Sequence, residues 1–312
     1  MKTSAVIPRL VCMAALVLFI RCDDVVDVDT GSSDPILNID AWVNNKPVTQ
    51  TIKLTLTQDY FDNVNLPPAV AGATVTITDQ DGLIFLFKEN TQKNDGSYEW
   101  NPDGERVLGQ AGDRFTLKVI YKGETFVATS QMGRVPAVDD ITFEKWEDAP
   151  FNEDNFYRAE FWAADLQGAG DTYWIKTYKN GSFLNKASEI NLAYDAGLSA
   201  GSNTDGVTFI SPIRTGINAD DQDKDDRPVS PLKTNDSIYV EIHSITRVSF
   251  NYMNEVITQT DRNGGLSELF TSTPLSNVST NLVNLDGNGS AVVGFFNTAC
   301  VSGHGEKFNL KR

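Results

Sequence analysis

Apolar and polar residues alternate in short runs along most of this chain. At 73–79, Val75 and Ile77 share one face while Thr74, Thr76 and Thr78 share the other. Phe115, Leu117, Val119 and Tyr121 repeat that period of two, which is the signature of a half-buried strand. Lys122-Gly123 then turns the chain into an apolar run at 125–129, so a hairpin is expected there. Similar runs at 36–43, 52–58, 83–88 and 97–100 bring the count to about seven short strands in a hundred residues, the density of an immunoglobulin-like β-sandwich. Trp42 and Trp100 are assigned to its core or rim.

Past the prolines at 136 and 150 the runs become longer and more aromatic. Strands are expected at 141–146, 156–164, 172–178, 207–210, 237–243, 291–296 and 307–310. One segment has a different period. Ile245, Val248, Tyr252 and Val256 recur at helical spacing, with Met253 and Ile257 widening the stripe, and Gly264-Gly265 follows. The prediction is an all-β (mainly β) chain. A sandwich at 35–136 is followed at 137–312 by a second, mostly antiparallel β domain carrying one short helix over 245–257.

The N-terminus has its own pattern. Lys2 and Arg9 precede an apolar run from Leu10 to Ile20 that is too short to span a bilayer and fits a signal-peptide core. The run reaches Cys22 directly, which resembles a bacterial lipoprotein signal with Cys22 as the lipidated residue, although Arg21 stands where such signals carry a small residue. Residues 1–21 are read as the signal peptide and 22–34 as an acidic tether. Asp23 and Asp24 behind the cysteine resemble the export signal that sends lipoproteins of Bacteroidota-type cells to the outer face of the outer membrane. Extended, residues 23–33 reach at most about 40 Å.

Charge narrows the range of partners. Removing residues 1–21 takes away Lys2, Arg9 and Arg21 and no acid, which leaves 42 acidic and 23 basic side chains and a net charge of −19. Such a surface repels phosphate backbones, so nucleic-acid binding is disfavoured. Beyond residue 21 the cysteines are Cys22 and Cys300, so an acylated Cys22 leaves no disulfide to support the fold.

Candidate chemistry is sparse. Asp221, Asp223 and Asp225 alternate as a calcium loop begins, but Asp226 occupies the glycine position and Leu232 the place of the closing glutamate. A solvated acidic loop is the preferred reading there, with calcium as the alternative, and no other cofactor is expected. His243 lies within a strand-like run. His304 follows Cys300 by four residues in a glycine-rich stretch read as a turn, with no third group to orient a nucleophilic pair. No catalytic residue is assigned. Trp162, Trp174 and Tyr178, among the aromatic residues of the second region, are the candidates for a stacking platform that takes a ligand, while core packing is the preferred reading of such residues.

Several blocks together resemble one family. They are AGATVTITDQDG at 71–82, DGSYEW at 95–100, GDTYWIKTYKNG at 170–181, LKTNDSIYVEIHSI at 232–245 leading into FNYMNEV at 250–256, and TPLSNVSTNL from 273 running on to AVVGFF ending at 296. In this order they are similar to the Bacteroidota lipoprotein family named domain of unknown function 4249. The resemblance implies a surface accessory to TonB-dependent outer-membrane transporters and transfers no catalytic residue. The expected function is therefore a non-enzymatic, surface-exposed outer-membrane lipoprotein that captures or gates a ligand for such a barrel. A structural or adhesive surface module is the first alternative, and a carboxylate-based hydrolase the second.

Overall fold

The computed structural model describes residues 34–58, 65–146, 156–221, 228–262 and 276–309. Cys22, Asp223 and Asp225 therefore lie outside the described residues, as do the expected signal peptide and nearly all of the tether. Residues from Pro35 onward form one compact unit. The chain is mainly β, as its periodicity predicts.

The sandwich is built from β1 (Leu37–Asn44), β2 (Gln50–Leu56), β3 (Thr74–Asp79), β4 (Ile84–Glu89), β5 (Ser97–Trp100), β6 (Arg114–Tyr121) and β7 (Glu124–Gln131). β4 joins its two layers. Its first part pairs with β3 (Phe87 opposite Val75), and its end turns to pair with β5 (Lys88 opposite Glu99). Ile39 and Ile52 of one layer and Val75, Phe85 and Leu117 of the other fill a single core. The strict alternation of the sequence thus points every second side chain inward.

Two late strands complete this sandwich. β14 (Val283–Asn284) adds to β7, and β15 (Val292–Ala299) lies parallel to β1, with Leu37 opposite Val292 and Asn44 opposite Ala299. Phe296, Cys300 and Leu282 are buried in the same core. The expectation of a sandwich confined to residues 35–136 is corrected by this topology. β1 is an apolar strand whose outer edge needs a partner, and residues 292–299 supply it from the far end of the chain. Gly294 makes the approach possible. It adopts φ +99°, and a Cβ there would lie 2.2 Å from the Ile39 carbonyl oxygen.

Between these contributions the chain forms a second layer system. β8 (Asp140–Lys145) and β9 (Tyr157–Trp162) make an antiparallel ribbon. β10 (Thr172–Lys179), β11 (Ser182–Phe183), β12 (Asn191–Tyr194), β13 (Ser237–Ser244) and β16 (Val301–Lys307) make a sheet of order β11-β10-β13-β16, with β12 also pairing with β10. Ribbon and sheet share a core of Ile141, Ala159, Phe161, Tyr173, Ile175, Val240 and Ile242. The strand expected at 207–210 is instead a single bridge, Thr208 with Ala164, leading into a short helix, α1 (Ser211–Thr215). Pro212 sets the first turn of α1, where its missing N–H costs nothing.

The predicted helix is α2, Arg247–Thr260. Thr246 caps it, its Oγ1 accepting from the Ser249 amide at 3.1 Å. Buried Asn297 of β15 accepts from the Thr246 amide at 3.1 Å and from Ser249 Oγ at 2.8 Å. The helix start is thereby fixed to the sandwich. Phe250 and Met253 bury the inner face of α2 against Ile245 and Leu192.

Candidate functional site

Strand alternation turns one face of the β10/β13 sheet away from the main apolar core, and there Trp42 and Trp174 pack against the small cluster of Leu192, Ile245, Phe250 and Met253. Tyr173, Ile175, Ile238, Val240 and Ile242 point into the apolar core. Trp174, Lys176 and Tyr178 of β10, with Tyr239, Glu241 and His243 of β13, must then share the opposite face. Registry places them as cross-strand pairs: Trp174 opposite His243, Lys176 opposite Glu241, Tyr178 opposite Tyr239. The outer face of β1, with Asp40 and Trp42, meets this surface.

Rings make the junction. Trp42 packs edge-on against Trp174, with centroids 5.3 Å apart, and lies 5.8 Å from Phe295 of β15. Tyr252 of α2 stacks on Phe295 at 4.4 Å. Phe183 lies 6.3 Å from Trp174 and 5.2 Å from Tyr178, which is in turn 6.1 Å from Tyr239. Trp42, Trp174, Tyr178 and Phe183 are all half-buried, and Tyr239 is exposed, so the outer part of this cluster forms an aromatic recess open to solvent. Gly303 and Gly305 of β16 leave room for Tyr239, since a Cβ on Gly303 would lie 2.5 Å from its hydroxyl oxygen.

Charges line the same recess. Glu241 is 3% exposed, accepts from Lys46 Nζ in the turn after β1, and lies 2.8 Å from His243 Nε2 through its other oxygen. Burial pushes the Glu241 carboxyl upward, but the bonds from His243 and Lys46 outweigh it and hold it at about 2. Burial pushes His243 down to about 4, against the pull of Glu241. At neutral pH the clasp is therefore an ionised Glu241 between the Lys46 ammonium and a neutral imidazole whose Nε2–H donates. Lys176 Nζ stands 3.9 Å above the Trp174 ring and 5.8 Å from that of Phe183. Such a cation–π contact is worth about 0.5–2 kcal/mol to the ammonium. Burial works in the other direction, and Lys176 is lowered to about 8 even though Glu241 and Asp40 lie close by. At the rim Asp40 touches solvent, and the packed walls around it push its carboxyl upward against the pull of Lys176 and Lys53.

The residues singled out from the sequence are distributed unevenly. Trp174 and Tyr178 fall together in the recess. Trp162 lies on the β8–β9 ribbon, where its Nε1–H donates to Thr142 Oγ1 at 2.8 Å and the Arg214 guanidinium covers its ring at 4.3 Å. Asp221 forms an ion pair with Lys186 at 2.5 Å and lines a cleft with Trp146, Tyr157 and Lys179. Cys300 is buried in the sandwich core, whereas His304 lies on β16 opposite Val240 of β13. The glycine-rich stretch around His304 is thus a strand and not a turn, because its glycines accommodate Tyr239.

Sequence reasoning missed one cluster. Carboxylate oxygens of Asp165, Asp195 and Asp205 converge within 4.8 Å of one another. Asp165 accepts from Tyr173 Oη at 2.7 Å and from the Gly206 amide at 3.1 Å. Asp195 accepts from the amides of Gly170 at 2.7 Å and Asp171 at 3.0 Å, and Asp205 from that of Gly168 at 2.8 Å. Each carboxylate thus holds a loop amide, which explains the convergence as a fastening of the 165–171 and 195–206 loops. Three aspartates spread over forty residues carry no local signature.

Comparison with known proteins gives one family. Residues 23–303 match the family described as Domain of unknown function (DUF4249), and the chain belongs to it. No curated protein matches the chain.

Proposed function

We propose that this member of the family is a non-enzymatic outer-membrane lipoprotein of Bacteroidota-type cells, facing outward, that captures or gates a ligand for a TonB-dependent transporter. The observation that carries the reading is the apolar run ending on Cys22 with Asp23 and Asp24 directly behind it. A lipid on Cys22 would hold the folded unit, whose first strand opens at Leu37, near the membrane surface. Confinement there raises its effective concentration over a neighbouring barrel, so a modest interface suffices for docking and release.

The recess supports capture over scaffolding. Half-exposed rings beside a recessed amine and a carboxylate offer stacking area with a few polar groups to orient a bound molecule, which is the usual composition of a ligand site. A hydrolase reading draws less support, because the converging aspartates are engaged by loop amides and Glu241 by Lys46 and His243.

The test is crosslinking in intact cells, followed by extraction in mild detergent and purification through this chain. A TonB-dependent barrel should be recovered with it. Recovery of the lipoprotein alone would transfer the reading to the adhesive module.

A further inference from the structure

We propose that the cleft between the β8–β9 ribbon and the loops at 218–221 and 228–232 is a second small-molecule site, shaped for a single-ring amine whose ammonium faces Asp220. The cleft has a volume of about 210 Å³. An apolar cavity of about 150 Å³ already accommodates benzene, so this one takes a ring with a short arm. Leu232 and Ile238 are buried along it, and Trp146, Phe156 and Tyr157 add half-buried rings. Its walls are fastened in place. The Trp146 amide donates to the Phe156 carbonyl at 2.8 Å, continuing the ribbon, and Tyr157 packs on Phe308 with centroids 4.9 Å apart. Lys179 Nζ donates to the Ser230 and Pro231 carbonyls at 2.7 and 3.1 Å, and the Val229 amide donates to the Asp221 carbonyl at 2.7 Å.

Charge decides the class of ligand. Of the charged side chains on the wall, Arg158 is paired with Glu144, Lys179 with Asp236 and Asp221 with Lys186. Asn218 spends its side-chain amide on Ala159 and on the Thr215 carbonyl. Asp220 differs. Its backbone amide donates to Glu189 Oε1 at 3.2 Å, but its carboxylate forms no ion pair or hydrogen bond among the described residues. Lys186 does not neutralise it. That ammonium is held above its ordinary value by its bond to Asp221 first, and then by Glu189 and Asp220, so three carboxylates share one cation. The cleft therefore carries net negative charge beside aromatic rings, whose faces themselves attract an ammonium. Among the described residues an anionic ligand meets no unpaired cation on this wall, and a neutral one leaves the Asp220 charge unused.

The test titrates the intact chain with phenethylamine, phenethyl alcohol and 3-phenylpropanoate, which share a ring and a two-carbon arm and differ in charge. Tryptophan indole N–H signals in proton–nitrogen NMR report where each one binds. Phenethylamine should saturate with a Kd of about 1 mM, an ordinary efficiency for so few atoms, and should shift the Trp146 signal while leaving those of Trp42 and Trp174 in the recess unmoved. The alcohol and the carboxylate should bind at least about threefold more weakly, and Asp220→Asn should weaken the amine by about the same factor, the worth of an exposed ion pair. Asp81→Asn, which removes an exposed carboxylate outside the cleft, should change nothing. No saturation below about 10 mM, equal affinity for the alcohol or the carboxylate, unchanged amine binding in Asp220→Asn, or shifts at Trp42 and Trp174 in place of Trp146 would each overturn the proposal. Neither the lipid anchor nor a barrel enters the measurement, so its failure leaves the transporter reading where it stands.

Discussion

Replacing Lys46 by methionine tests how the sandwich is held to the second sheet. The substitution keeps most of the side-chain volume and removes the ammonium from Glu241, whose side chain is 4% exposed. Stripping one partner from a fully buried pair costs about 3–5 kcal/mol, because the remaining charge stays desolvated. Lys46 keeps 36% of its side chain in solvent and His243 still donates to Glu241, so a loss of about 2 kcal/mol is expected. Urea unfolding followed by tryptophan fluorescence reads it directly, since Trp42 and Trp174 meet at this junction. The acid limb supplies an independent reading. Unfolded His243 takes up a proton near pH 6.5, whereas the folded side chain does so only near 4. Stability should therefore fall as pH drops from 6.5 to 4, by up to on the order of 3 kcal/mol from this residue alone. Glu241 contributes stability that is present above its unfolded value and is lost as pH falls toward about 2. In Lys46→Met the Glu241 carboxyl loses a donor, so acid unfolding should begin at higher pH, while Lys46→Arg should retain most of the clasp. A change below about 0.5 kcal/mol in Lys46→Met, with an unmoved acid limb, would refute the argument, because it would place the pair among exposed ones of negligible worth.

Three other predictions concern the parallel strand, the sandwich fragment and the anchor. Gly294→Ala puts a methyl group 2.2 Å from the Ile39 carbonyl oxygen at φ +99°, so thermal unfolding should show a loss of about 3 kcal/mol or more, and a fragment of residues 35–136 should lack a cooperative transition without Phe296 and its parallel strand. Cys22→Ser should abolish metabolic labelling by a palmitate analogue that marks the unaltered chain, and equal labelling of both would remove the anchor from the functional reading.

The sequence shows what is local and conceals what is assembled. β3, β6 and the β6–β7 hairpin were legible because each alternates within itself, and α2 because its stripe keeps helical spacing. The expected helix began two residues before Arg247 and stopped three before Thr260, since the start is set by the Thr246 side chain and the end by Asp261, whose backbone N–H donates to the Ile257 carbonyl. β15 was read as a strand, but its partner was not. Nothing in its residues says that it will lie parallel to a strand two hundred and fifty positions earlier. Its glycine at position 294 is intelligible only once Ile39 is beside it.

The recess follows from the same fact. Glu241 and His243 look in sequence like polar residues on the open side of an alternating strand, and Asp40 and Trp42 look the same on β1. In isolation each assignment is correct. When β15 returns to β1 it brings Phe295 to the junction, and the β13–β16 pair, continuing directly from β15, brings the second sheet's polar face against β1. Two outward faces then cover one another, and residues that each strand would leave in water become a desolvated cluster. Desolvation is what separates His243 from an ordinary surface histidine and Lys176 from an ordinary surface lysine. The chemistry of this site is therefore a property of the chain crossing, and a substitution that loosens β15 from β1 should return both side chains toward their ordinary titration as surely as one made beside them.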